Sequence, residues 1–130
     1  MNTFLTYKNW IKPSFAPPSW IFGPVWTVLY ILIFISFGYV VRLFLEHKIS
    51  WVILLPFVLN ILFNILYTPL QFRLGNLLLA SIDILLVLGT LIWAMIVIHP
   101  FASWVTYINI PYLLWVSFAT VLQLSIYFLN

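Results

Sequence analysis

Leu77 to Ile98 reads LLLASIDILLVLGTLIWAMIVI, and Asp83 is its only charged side chain. At 1.5 Å per residue a helix of that length reaches ~33 Å, enough to cross the ~30 Å hydrocarbon core of a bilayer. Three more runs share its character: Trp20 to Phe44, Trp51 to Phe72 and Trp104 to Leu129. Nearly every charged residue falls between or at the edges of these runs. The four together predict four transmembrane helices that occupy most of the 130 residues.

Composition agrees with this reading. With 65% apolar and 5% charged residues, the chain cannot give a soluble domain of its size a hydrated surface. Period-two alternation is absent and the runs are twice the length of a barrel strand. Helices must therefore satisfy the backbone amides inside the membrane. The predicted fold is an all-α, polytopic membrane helical bundle, one domain over residues 1–130, with residues 1–19 as a proline-rich loop. The N-terminal stretch holds Lys8 and Lys12 but no signal-peptide pattern, so it is expected to be retained. Absence of cysteine removes disulfides and thiolate metal sites. The net charge of +3 is scattered over two membrane faces and makes no stripe for phosphates, which argues against nucleic acid as a partner.

An even number of spans places both chain ends and the turn from Phe72 to Asn76 on one side, here called side one. That side carries Lys8, Lys12 and Arg73 against Arg42 and Lys48 opposite, so the positive-inside rule predicts cytoplasmic termini.

Aromatics make up 20% of the chain. Trp20, Trp51 and Trp104 stand at span starts, where an interfacial aromatic belt explains them. Trp26 and Trp115 lie deeper, and a buried indole N–H wants an acceptor. Lys12 to Trp20 contains Pro13, Pro17 and Pro18, which exclude helix and favour a stiff extended path. It is either a linker on the membrane surface or a lid over the side-one mouth of the bundle, with Tyr7 and Trp10 pointing inward.

Polar residues within the spans fall into stripes. Asn60, Asn64 and Tyr67 share one face of the second span; Trp26 and Tyr30 are four apart in the first; Trp115, Ala119 and Gln123 follow the same spacing in the fourth. From side one, helical rise puts Trp26 near ~9 Å, Asn64 near ~12 Å, Ala119 near ~14 Å and Tyr30 near ~15 Å, so the stripes meet in depth. If they face inward they line an aromatic-walled cavity for a flat, largely apolar ligand. The competing expectation is that Asn60, Asn64 and Gln123 are interhelical hydrogen-bond glue, worth about 0.6 kcal/mol each.

Asp83, ~10 Å from side one by helical rise, needs a partner or a proton. Lys12 and Arg73 are the candidate partners. His47 and His99 fall in side-two loops and read as interfacial. No metal cluster, nucleophile–base pair or phosphate loop is encoded, which leans against an enzyme.

Lys12-Pro13, Pro17-Pro18 and Trp20-Ile21-Phe22-Gly23-Pro24-Val25-Trp26-Thr27-Val28-Leu29-Tyr30 resemble the signature of the TspO/MBR family, the tryptophan-rich sensory proteins and translocator (peripheral benzodiazepine receptor-like) proteins. Leu59-Asn60 with Asn64, Leu79 to Asp83, and Ile110 to Trp115 running on to Phe118-Ala119-Thr120 agree with it. The resemblance implies a helical membrane protein of a prokaryotic cell membrane, a homodimer that needs no cofactor. It also implies a protein that binds tetrapyrroles such as protoporphyrin IX and haem, or sterol-like molecules, as sensor or carrier. Family ligand positions fall on Trp26, Tyr30, Asn64, Tyr67, Trp115 and Ala119, with Tyr7 in the loop, and Asn60 lines the same face. Lys12 and Arg73 would meet propionates. Porphyrin photo-oxidation, with Trp115 reacting, is a further family activity, and a ligand-free structural subunit is another alternative.

Three departures from the family pattern bear on these expectations. Family members carry a span before the proline-rich loop; this chain is expected to do without one, and the flank it would cover is expected to be closed by a second copy, aided by Gly89 and Ala94 on the third span. A loop tryptophan implicated in porphyrin breakdown falls at Thr6. No basic residue lies between Ala119 and Asn130, so the cholesterol-recognition pattern is incomplete.

Overall fold

A computed structural model describes residues 19–70 and 76–129. After a short 3-10 turn, Ser19–Ile21, come α1 (Phe22–Leu45), α2 (Trp51–Thr68), α3 (Leu77–Ile98), α4 (Ser103–Ile108) and α5 (Ile110–Leu129). No strand occurs among the described residues. The all-α membrane bundle expected from the apolar runs is the fold observed. α1, α3 and α5 have the length and hydropathy of membrane-crossing helices, and α2 is apolar but shorter.

The third run becomes α3 with its predicted ends, capped by Asn76, whose side chain accepts the Leu79 amide at 3.0 Å. The other runs are trimmed or broken, each where backbone chemistry demands it. The second was expected to reach Phe72, but α2 stops at Thr68. Pro69 follows, and its ring and missing N–H oppose a further α-helical turn; Pro69 and Leu70 adopt a wider π turn instead.

The fourth run is interrupted at Asn109, φ −91° and ψ 2°, so that α4 and α5 replace one continuous helix. Pro111 removes the amide that would have bonded the Tyr107 carbonyl. The Asn109 side chain helps hold the break together, its Nδ2 donating to the Val105 carbonyl at 2.8 Å and to Ser36 Oγ on α1 at 3.0 Å.

α1 ends in a Schellman-type cap. The Lys48 amide bonds the Leu43 carbonyl at 2.9 Å, the His47 amide bonds that of Phe44 at 3.0 Å, and His47 sits at φ 60°. That left-handed position normally takes glycine. Beside it Glu46 pairs with Arg42 at 3.3 Å and Lys48 at 3.4 Å. Hydrogen bonds from these two cations hold the Glu46 carboxyl below the ordinary carboxylate range.

α3 is the centre of the bundle, packed between α2 and α5, while α1 leans on α2 and α4. Toward side two the core is apolar: Phe37 meets Phe57 edge-on at 4.8 Å, and Val40, Ile98 and Val105 are buried nearby. Phe34, Ile31 and Ile96 point outward and are largely exposed, as befits surfaces whose solvent is lipid. Ala94 was expected to serve an intermolecular face together with Gly89. The structure corrects this: Ala94 is fully buried within the bundle, whereas Gly89 is exposed. A spacing of five residues turns an α-helix by well over one turn, which separates the two.

Candidate functional site

α1 meets α5 mainly through long aromatic rings rather than close backbone approach. Trp26 lies against Tyr30 with ring centroids 5.4 Å apart and touches Tyr112 edge-on at 6.4 Å. One turn toward side one, Phe22 contacts Trp115 at 6.0 Å, and Trp115 contacts Phe118 at 5.6 Å. Two rows of rings thus line the space between these helices.

A chain of hydrogen bonds runs beneath them. Tyr30 donates to Asn64 Oδ1 at 2.8 Å, Asn64 Nδ2 donates to the Tyr112 hydroxyl at 2.7 Å, and Tyr112 donates to Asn60 Oδ1 at 2.9 Å. Asn60 Nδ2 completes the chain on α3, at 2.9 Å from the Val87 carbonyl and 3.2 Å from Thr90 Oγ1. Four helices are tied by one directional relay in which Tyr30 gives and every later hydroxyl or amide both gives and accepts. In a low-dielectric interior such a relay fixes side-chain positions strongly, since any member left alone is costly.

A second cluster lies nearer side one. Tyr67 donates to Gln123 Oε1 at 2.7 Å, and Gln123 Nε2 reaches Ser81 Oγ at 3.3 Å and the Leu77 carbonyl at 3.4 Å. The three stripes anticipated from the sequence therefore do turn toward one another. Asn60 plays its expected role as glue, and Asn64 and Tyr30 join it.

Not every polar atom is matched. Among the described residues, the buried Trp115 indole Nε1, Asp83 Oδ2 and Asn109 Oδ1 have no hydrogen-bond partner. Lys12 and Arg73, the partners expected for Asp83 and for propionates, lie outside the described residues, as do Tyr7 and Trp10. Ala119 is half-buried and packs against the main core.

Tyr112 is the residue that the site reading from the sequence missed. It is fully buried and joins both asparagines, and the available signal was its position three before Trp115, on the same helical stripe. Thr90 and Ser81 were also missed, because a lone hydroxyl in an apolar helix more often bonds its own i−4 carbonyl; both do so here as well.

The TspO/MBR family pattern matches residues 1–129. The chain belongs to the TspO/MBR family. It is 35% identical over 120 residues to the tryptophan-rich protein TspO of Bacillus cereus, a match covering 92% of this chain and 76% of that protein. Protein CrtK of Rhodobacter capsulatus is 33% identical over 125 residues, covering 95% and 78% respectively. The TspO of Archaeoglobus fulgidus is 36% identical over 131 residues, covering 95% and 79%. Together with the apolar helices, membership identifies an integral membrane protein of TspO type.

Proposed function

We propose that this TspO-type protein binds a flat tetrapyrrole, such as protoporphyrin IX or haem, between α1, α2 and α5, and acts as its sensor or carrier. The observation that carries the proposal is the buried Trp115 indole N–H with no acceptor among the described residues, set beside the rows formed by Phe22, Trp26, Tyr30 and Tyr112. An unmatched donor among aromatic rings suits a planar ligand that brings both π-surface and acceptor atoms. The hydrogen-bonded relay below would hold those rings in place before the ligand arrives, which lowers the ordering cost of binding.

The same proposal puts the protein in a prokaryotic cell membrane with both termini cytoplasmic, supported by the basic residues Lys8, Lys12 and Arg73 on side one. It includes a homodimer in which Gly89, with open space around its missing Cβ, allows close helix approach. Single-molecule photobleaching in bilayers tests the dimer, and one step per particle with porphyrin still bound tightly removes it.

The binding test is titration of the purified protein with protoporphyrin IX, followed by tryptophan quenching. Trp26→Phe with Trp115→Phe is expected to weaken binding by about tenfold or more, a loss of ~1.4 kcal/mol per decade. Because that substitution also removes fluorophores, affinity is read in parallel from the porphyrin absorbance. Unchanged affinity overturns the site.

A further inference from the structure

At the opposite end of the bundle an open groove of about 440 Å³ is lined by Ile92, Met95, Ile96 and His99 of α3, Thr106 of α4 and Leu113 of α5. Its four α3 residues follow i, i+3, i+4, i+7 spacing and form one stripe. From His99 down to Ile92 the stripe descends ~10 Å by helical rise. Ile92 and Ile96 are 43% and 66% exposed, so the groove faces the hydrocarbon. Thr106 adds little polarity to the wall, because its hydroxyl is committed to the Met95 carbonyl at 2.7 Å.

The mouth is different in character. His99 Nε2 and the Tyr107 hydroxyl stand 3.5 Å apart, with the rings edge-on at 5.8 Å. That distance is at the outer limit of a hydrogen bond, so both groups keep capacity for a third partner. His99 caps α3 and Tyr107 is exposed, which puts the pair at the level where headgroups begin.

We infer that this groove retains one glycerophospholipid, with an acyl chain along Ile92, Met95, Ile96 and Leu113 and the phosphate oxygens accepting from the His99 imidazole N–H and the Tyr107 hydroxyl. Three observations support a lipid over other occupants. The groove opens to the bilayer, its volume falls within the ~300–1,000 Å³ of small-molecule sites, and its polar groups are confined to the end that meets the interface. An apolar slot with a donor pair at headgroup height matches an amphiphile whose acceptors sit at one end. The site is remote from the aromatic rows between α1 and α5, and it stands or falls independently of tetrapyrrole binding.

Native mass spectrometry of the full chain, released from detergent after incubation with phosphatidylglycerol or with diacylglycerol of the same chains, tests the inference. The expected result is one retained phosphatidylglycerol per chain and weaker retention of diacylglycerol. His99→Gln with Tyr107→Phe changes only exposed side chains and is expected to reduce phosphatidylglycerol retention about tenfold, the scale of a hydrogen bond to a charged group, while diacylglycerol retention stays as before. Ile92→Trp, on the lipid face, fills the groove and is expected to reduce both. Equal retention of the two lipids by the wild type, or retention unchanged by both variants, overturns the site. Gly89 lies one turn from Ile92 on the same stripe, so the dimer is read separately: phosphatidylglycerol kept by monomers and lost from dimers shows a second copy in the groove and overturns the site, whereas dimers that keep the lipid support it. Protoporphyrin affinity, measured alongside, is expected to be the same in all three proteins.

Discussion

The two halves of the bundle are held by different forces. The middle and side-one half is joined by the relay Tyr30, Asn64, Tyr112, Asn60, Thr90 and by the Tyr67–Gln123–Ser81 cluster. The side-two half relies mainly on rings and branched aliphatics around Phe37, Phe57 and Val40, with the single Asn109–Ser36 and Thr106–Met95 hydrogen bonds beside them. In water the apolar half would dominate stability. In a bilayer the lipid tails are as apolar as the core, so burial there gains packing alone, and hydrogen bonds take a larger share of what specifies helix placement. Polarity is therefore concentrated where relative helix position matters for the aromatic rows.

The sharpest way to break this contrast is Asn60→Ala. It removes three hydrogen bonds, and at ~0.6 kcal/mol each the loss is expected to be about 2 kcal/mol, read as a lower midpoint in mixed-micelle unfolding. Phe37→Ala in the other half is expected to lose only about 1 kcal/mol, less than the ~3–5 kcal/mol typical of soluble cores, because the transfer contribution is missing and the cavity contribution remains. A larger loss for Phe37→Ala than for Asn60→Ala inverts the comparison. His47→Gly is expected to stabilise by about 0.5 kcal/mol, relieving a left-handed conformation that glycine adopts freely. No gain in midpoint means that the α1 cap is not strained.

The smallest effect belongs to Glu46. Its carboxyl lies below the ordinary range because Arg42 and Lys48 bond it, so its contribution is present above the unfolded-state pKa and disappears as pH falls through the folded one. The group is exposed, and water and salt screen it. Glu46→Gln is expected to leave the unfolding midpoint unmoved at neutral pH. A shift as large as that of Asn60→Ala would show that the side-two turn, rather than the relay, holds the helices in register.

Hydropathy revealed the helices because a bilayer imposes a length and composition that few other environments demand. It did not reveal the interruptions at Pro69 and Asn109, since proline is tolerated in membrane helices wherever neighbours satisfy the freed groups. Whether it ends a helix is decided by a tertiary partner, here the Asn109 amide on Ser36. Spacing showed that Asn60 and Asn64 share a face with Tyr67, and depth placed them level with Trp26 and Tyr30. Their junction through Tyr112 was hidden because the stripe of the fourth run was followed from Trp115 through Ala119 to Gln123, toward side one and away from Tyr112. Ala94 shows the opposite failure: a small residue suits packing inside a bundle as well as between two, and the sequence alone does not choose.

The trimmed α2 has a consequence for the surrounding lipid. With the π turn at Pro69 and Leu70 its helical stretch runs over 20 residues, ~30 Å, against ~36 Å for the 24 of α1. One flank thus matches a typical hydrocarbon core of ~30 Å and the other exceeds it. α1 must tilt, or the bilayer thicken beside it, so the mismatch is confined to one side of the perimeter. Lipids with longer chains relieve it there, which gives the protein an uneven preference around its own circumference.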